Sequence, residues 1–129
     1  MVKDSLEETW KGYQKHAGFS GFMAYEVVTD LRHTKWLRNA KDIMTWANPG
    51  PGAQRGLNRI QHRKLNKTIK KPQLNFEMKV LLDCSPEYLQ GHMLPLEMRD
   101  IEHCLCEFDK YERTRLGEGR PRAKYKVNK

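Results

Sequence analysis

The chain has 129 residues and carries 24 lysines and arginines against 16 acids, a formal charge of +8, with 38% hydrophobic and 31% charged residues. That length supports one domain with a real core, and its tryptophans, tyrosines and phenylalanines argue against wholesale disorder. The charge favours a polyanionic partner, nucleic acid before membrane. No apolar run approaches the roughly 20 residues of a span, no hydrophobic leader follows Met1, and three cysteines fit reduced thiols better than a disulfide framework.

The first predicted helix begins at a capping-box pattern, Ser5-Leu6-Glu7-Glu8, ahead of Leu6, Trp10 and Tyr13 at helical spacing. Two glycines three apart in Gly18-Phe19-Ser20-Gly21 predict a tight turn, and Phe22, Met23, Val27 and Leu31 predict a second helix. Trp36 to Trp46, with Leu37, Ile43 and Met44, predicts a third, shorter one. Asn48-Pro49-Gly50-Pro51-Gly52-Ala53 breaks it as a rigid loop, and helix resumes near Ala53 with Leu57 and Ile60 inward. Arg59, Arg63, Lys64, Lys67, Lys70 and Lys71 then follow without an acid among them.

Leu74 to Leu82 alternates at first and then clusters, so its period fits strand or helix; in an otherwise helical chain, helix is expected. Ser85-Pro86-Glu87 has the chemistry of a helix start and predicts a short separate piece stopped by Gly91. The last helix carries Leu94, Met98, Ile101, Leu105, Phe108 and Tyr111 as a core-facing stripe and ends at Gly117 and Gly119. The expectation is an all-α chain: a helical domain over residues 1–116 and a basic tail over 117–129 that includes Arg120 and Arg122.

Gly18-Phe19-Ser20-Gly21 between two helices has the form of a helix-hairpin-helix. Gly18, Ser20 and Gly21 are candidates for contact with DNA phosphate, because glycines leave amides bare at a helix N-terminus. An ordinary interhelical turn has the same outline. Gly50 and Gly52 open a second helix in the same manner, with Arg55 and Arg59 behind it. Arg59, Arg63, Lys64 and Lys67 belong to a basic run without aromatics, which suits duplex phosphates better than stacked single strands. His103-Cys104-Leu105-Cys106 is not read as a metal site, since residues two apart on a helix diverge by about 200°.

The hairpin resembles that of helix-hairpin-helix DNA glycosylases, in which an aspartate about twenty residues further on stands at the mouth of the base pocket. Asp42 lies 21 residues after Gly21. Met23 occupies the position of the nucleophilic lysine of bifunctional members, so lyase chemistry is not expected. A closer set of blocks is Gly18-Phe19-Ser20-Gly21-Phe22-Met23-Ala24-Tyr25-Glu26, Thr29-Asp30-Leu31 and Gly50-Pro51-Gly52-Ala53-Gln54-Arg55-Gly56-Leu57. Leu105-Cys106-Glu107-Phe108-Asp109-Lys110-Tyr111 and Gly117-Glu118-Gly119-Arg120-Pro121-Arg122 complete it.

These blocks resemble the bacteriophage thymine-hypermodification family, comprising α-glutamyl/putrescinyl thymine pyrophosphorylases and the helical domain attached to 5-hydroxymethyluracil DNA kinases. The resemblance implies an all-α, helix-hairpin-helix DNA glycosylase-like domain, a double-stranded DNA partner with modified thymine, and the cytoplasm of a phage-infected bacterium. Against the longer proteins of that family, the chain corresponds to a compact member or a C-terminal part. It has no G-x-x-x-x-G-K-[ST] phosphate loop. A kinase or transferase subunit is therefore the expected partner, and no cofactor is expected in this chain.

Asp42, Asp30 and Glu107 are the candidate carboxylates for a pyrimidine edge or a general base. Each also has a bland reading: Asp30 as a helix-end residue, Asp42 as an exposed helix acid, and Glu107 as a solvent-facing acid or the ion-pair partner of Arg55. Three functions stay open: a DNA-binding module serving a separate catalytic domain, a stand-alone transferase or pyrophosphorylase-like enzyme on the modified base, and a scaffold for a partner subunit.

Overall fold

A computed structural model of the chain describes residues 3–16, 18–89, 91 and 94–119. Among them stand five helices and no strand: α1 (Leu6–His16), α2 (Gly21–Leu31), α3 (Pro51–Ile60), α4 (Lys71–Tyr88) and α5 (Met98–Arg115). The all-α expectation holds. α1 and α2 form an antiparallel-type hairpin pair, and α3 packs closely on α5 with α4 alongside.

α1 starts as its sequence dictates, with Ser5 Oγ accepting from the Glu8 amide. Ser20 caps α2 by accepting from the Met23 amide, and Gly18 takes φ +63°, which favours glycine in this turn. Phe19 stacks on Tyr13 and closes the hairpin.

The predicted helix from Trp36 to Trp46 is not formed; the segment is a succession of turns. Its backbone groups are claimed by distant partners. The Lys41 amide donates to Asp4 O, the Ile43 carbonyl accepts from the Met98 amide, and the Ala47 amide donates to Asn75 Oδ1. Thr34 Oγ1 also accepts from the Trp36 amide, the local side-chain competition that disfavours helix.

Ser85-Pro86-Glu87 does not start a new helix but continues α4, with Pro86 inside it. Pro86 cannot donate to the Leu82 carbonyl, and the Ser85 hydroxyl donates there instead. The helix then ends within two residues. α5 starts at Met98, not at Leu94: Leu94 is exposed, and Asp100 Oδ2 accepts from the Glu97 amide at the true start. Phe108 and Tyr111 leave the expected core stripe for the surface, as does Ile60 on α3.

The core has two parts. Leu6, Val28, Leu37 and Ala40 fill one, beneath α1 and α2. Leu57, Leu74, Met78, Met98, Ile101 and Leu105 fill the other, where α3, α4 and α5 meet. Trp10 and Trp46 pack against both, their rings 5.7 Å apart. α3 lies close to α5 because small residues line its contact face. A Cβ added at Gly56 would stand 2.6 Å from Leu105 O, and one at Gly52 would stand 3.2 Å from Cys106 Sγ.

Candidate nucleic-acid interface

The closely packed α3–α5 pair and the hairpin border a half-open cavity of about 1020 Å³. That is at the upper end of the range for small-molecule sites, about 300–1,000 Å³. Gly21 and Phe22 border it from the start of α2, Gly50 and Gly52 from the start of α3, and Thr68, Ile69 and Lys71 from the basic connection. Three stretches singled out in the sequence are thus brought to one cavity. Neither α2 nor α3 has an acid in its own first turn, and at the start of α3 the Glu102 carboxylate stands against the Gly50 amide.

The far wall comes from α2 and α5. Tyr25 is almost wholly buried, and its hydroxyl has no hydrogen-bond partner among the described residues. Burial, reinforced by the nearby Glu102, pushes its phenol well above the usual range; the Asn48 backbone opposes this weakly without meeting hydrogen-bond geometry. Glu102 is also buried. Its Oε1 accepts from Cys106 Sγ at 3.3 Å and from the Gly50 amide at 3.5 Å, and its Oε2 is 3.9 Å from His103 Nε2. Burial holds this carboxyl above the ordinary carboxylate range, and the Cys106 thiol, the His103 ring and the Gly50 amide offset only part of that rise. Burial and Glu102 together push the Cys106 thiol up to about 12.

Lys71 donates to Asn48 Oδ1 and lies 5.0 Å from the centre of the Trp10 ring. Partial burial lowers its pKa. Lys110 and Arg113 also line the cavity, among the acids Glu26, Glu107 and Asp109, and Lys110 is paired with Glu107.

The predicted site residues divide between this cavity and structural work. Gly21, Gly50, Gly52, Arg55 and Glu107 line the cavity; Gly18, Ser20, Asp30 and Asp42 do not. Asp42 Oδ1 accepts from the Leu6 amide at 2.7 Å, and its Oδ2 accepts from Ser5 Oγ at 2.8 Å and from the Glu7 amide at 3.0 Å. It caps α1 from 36 residues away. Asp30 is exposed near the end of α2. Glu107 is exposed and pairs with Lys110 at 2.5 Å, so it does not hold Arg55.

Arg55 is held instead by Asp109, whose side chain is 1% exposed and bridges Arg55 Nε at 2.7 Å and Arg59 Nε at 3.1 Å. Arg59 continues to Glu118. Arg63 makes a two-pronged pair with Glu77, both contacts 2.7 Å, and a further bond to Asn58. The arginines of the acid-free run are thus engaged by acids from elsewhere in the chain. Lys64, Lys67 and Lys70 are exposed, and none is in a salt bridge among the described residues. Arg120 and Arg122 lie outside the described residues.

Tyr25, Glu102 and Asp109 escape a reading by candidate motif. Spacing carried a signal for the last two: Glu102, Cys106, Asp109 and Arg113 fall on one face of α5, the face that meets the small residues of α3. Tyr25 has no such signal beyond its place within an apolar helix.

Among the described residues no helix is long and apolar enough to cross a membrane. The model of a protein family described as "5-hmdU DNA kinase, helical domain" matches residues 2–120. Neither the curated proteins nor the solved structures contain a match to the chain.

Proposed function

The chain belongs to the family of 5-hmdU DNA kinase helical domains, and from that premise we propose that it grips duplex DNA and receives a 5-hydroxymethyluracil base for a separate kinase unit. The reading rests above all on the convergence of two helix N-termini, those of α2 and α3, on one cavity beside Lys71, Lys110 and Arg113. Helix N-termini and lysines together suit phosphates, and the cavity has room for a nucleotide.

In this reading Lys64, Lys67 and Lys70 contact backbone phosphates beside the cavity mouth, and Arg120 and Arg122 join them on sequence grounds. Gly21 and Gly52 present amides to phosphate at the mouth. Phe22, exposed at the cavity edge, is suited to fill the gap left by an extruded base. Extrusion costs a few kcal/mol, which phosphate contacts on either side of the base offset.

Asp109, Arg59 and Arg63 hold the frame in this proposal, and Asp42 holds α1. The test is duplex binding over a salt series. A log–log slope of several units supports contact through the lysine segment, whereas weak and salt-insensitive binding overturns the reading.

A further inference from the structure

We propose that Glu102, positioned beside Tyr25, is the group that reads the hydroxyl of the base, so the cavity selects a hydroxymethylated pyrimidine over thymine. This rests on the base-receiving reading above and names its specificity determinant.

Two observations carry it. First, Tyr25 is a buried donor with no acceptor among the described residues. An O–H in that state is rare in a finished core and marks a place where a partner arrives. Second, Glu102 is a buried carboxylate without a cation against it. Its contacts are a thiol, one amide at 3.5 Å and the His103 ring at 3.9 Å, all weak for an ionised group. A carboxylate buried for structure alone is normally paired closely, as Asp109 of the same helix is by Arg55 and Arg59 of α3.

Both groups line the cavity together with apolar surface from Phe22, Pro49, Ile69 and Leu74, and with Glu26 and His103 beside them. A primary hydroxyl fits between such groups, since it donates to a carboxylate and accepts from a phenol at once. A methyl in its place does neither and leaves both unpaired. Tyr25 and Glu102 both touch the hydroxyl here, Tyr25 as donor and Glu102 as acceptor.

The experiment compares short duplexes carrying one 5-hydroxymethyldeoxyuridine or one thymidine opposite adenine, with 2-aminopurine beside that position. Anisotropy reads affinity, and 2-aminopurine brightening reads extrusion of the neighbouring base. The intact protein is expected to prefer the hydroxymethyl duplex by about 10- to 100-fold, the range that one charge-assisted hydrogen bond supports.

Glu102→Gln and Tyr25→Phe should each reduce that preference to within about threefold while thymidine-duplex affinity stays within about twofold. Circular dichroism establishes that both variants are folded, and the conservative Glu102→Asp should recover part of the preference. Extrusion without preference in the intact protein, or full preference in both variants, overturns the assignment to Glu102 alone. Absence of binding and of extrusion in the intact protein overturns this assignment and the base-receiving reading together.

Discussion

Replacing Gly56 by alanine tests whether the α3–α5 contact is as close as it stands. The added Cβ would lie 2.6 Å from Leu105 O and 3.2 Å from Leu105 C and Cβ, where ordinary contact begins at 3.4 Å. The obstacle is backbone inside a helix, so no side chain can swing away. Relief requires the two helices to part by up to about 0.8 Å, and a gap of about 0.5–1 Å forfeits a quarter to a half of each dispersion contact along the seam.

Overpacking of this kind costs about 3 kcal/mol, and the better helix propensity of alanine returns about 1 kcal/mol. The net expectation is a destabilisation of about 2 kcal/mol. At about 4 °C per kcal/mol for a domain of this size, the melting temperature falls by about 8 °C. Thermal and urea unfolding followed by circular dichroism measure it. Gly50→Ala is the control: its Cβ meets nothing within 4 Å and its φ is −87°, so the change should stay within about 0.5 kcal/mol. A Gly56→Ala protein as stable as the parent would refute the close-packing account.

Asp109→Ala leaves Arg55 and Arg59 facing an empty buried position and should cost about 3 kcal/mol in urea unfolding. Asp42→Ala removes the cap of α1 and should cost about 1–2 kcal/mol, with duplex affinity unchanged; lost affinity in a folded variant would give Asp42 a role at the DNA. Replacing Lys64, Lys67 and Lys70 by alanine should lower the log–log salt slope of duplex binding by about 2–3 units, and an unchanged slope would move the DNA elsewhere. Glu102 holds its proton more tightly in the folded than in the unfolded chain, whose value is 4.5, so its burial penalty is present above the folded value and fades as pH falls toward 4.5. Glu102→Gln should therefore raise the melting temperature at pH 8 and lose that advantage near pH 4, as a pair of thermal scans would reveal.

The elements legible in the sequence are those specified locally. Ser5 and Ser20 cap the helices they precede, the hairpin glycines turn the chain, and Pro51 opens α3 after the rigid loop. The illegible parts are those fixed by distant partners. Residues 36–46 carry helical spacing, yet Asp4, Met98 and Asn75 bind their neighbouring backbone groups and hold turns instead. Pro86 reads as a start because the local pattern cannot tell whether Ser85 caps a new helix or satisfies the carbonyl of an old one. At the cavity, the glycine-rich stretches were visible as helix starts. The roles of the charged groups were not, because a run without acids says nothing about acids that fold over it: Asp109, Glu118 and Glu77 engage its arginines.

The turn segment between α2 and α3 also bears on the order in which the molecule can assemble. Asp42 completes the start of α1, while the Ile43 carbonyl, one residue on, receives the Met98 amide at the start of α5. Arg32, just past α2, grips Glu97 at 2.5 Å on the same junction. The first helix therefore gains one of its caps from a segment that is fastened both to the N-terminal part, through Lys41 and Asp4, and to the last helix. During synthesis, a nascent chain that has not yet reached Met98 lacks the second of these fastenings. Contacts of such high sequence separation slow folding relative to a bundle of locally paired helices.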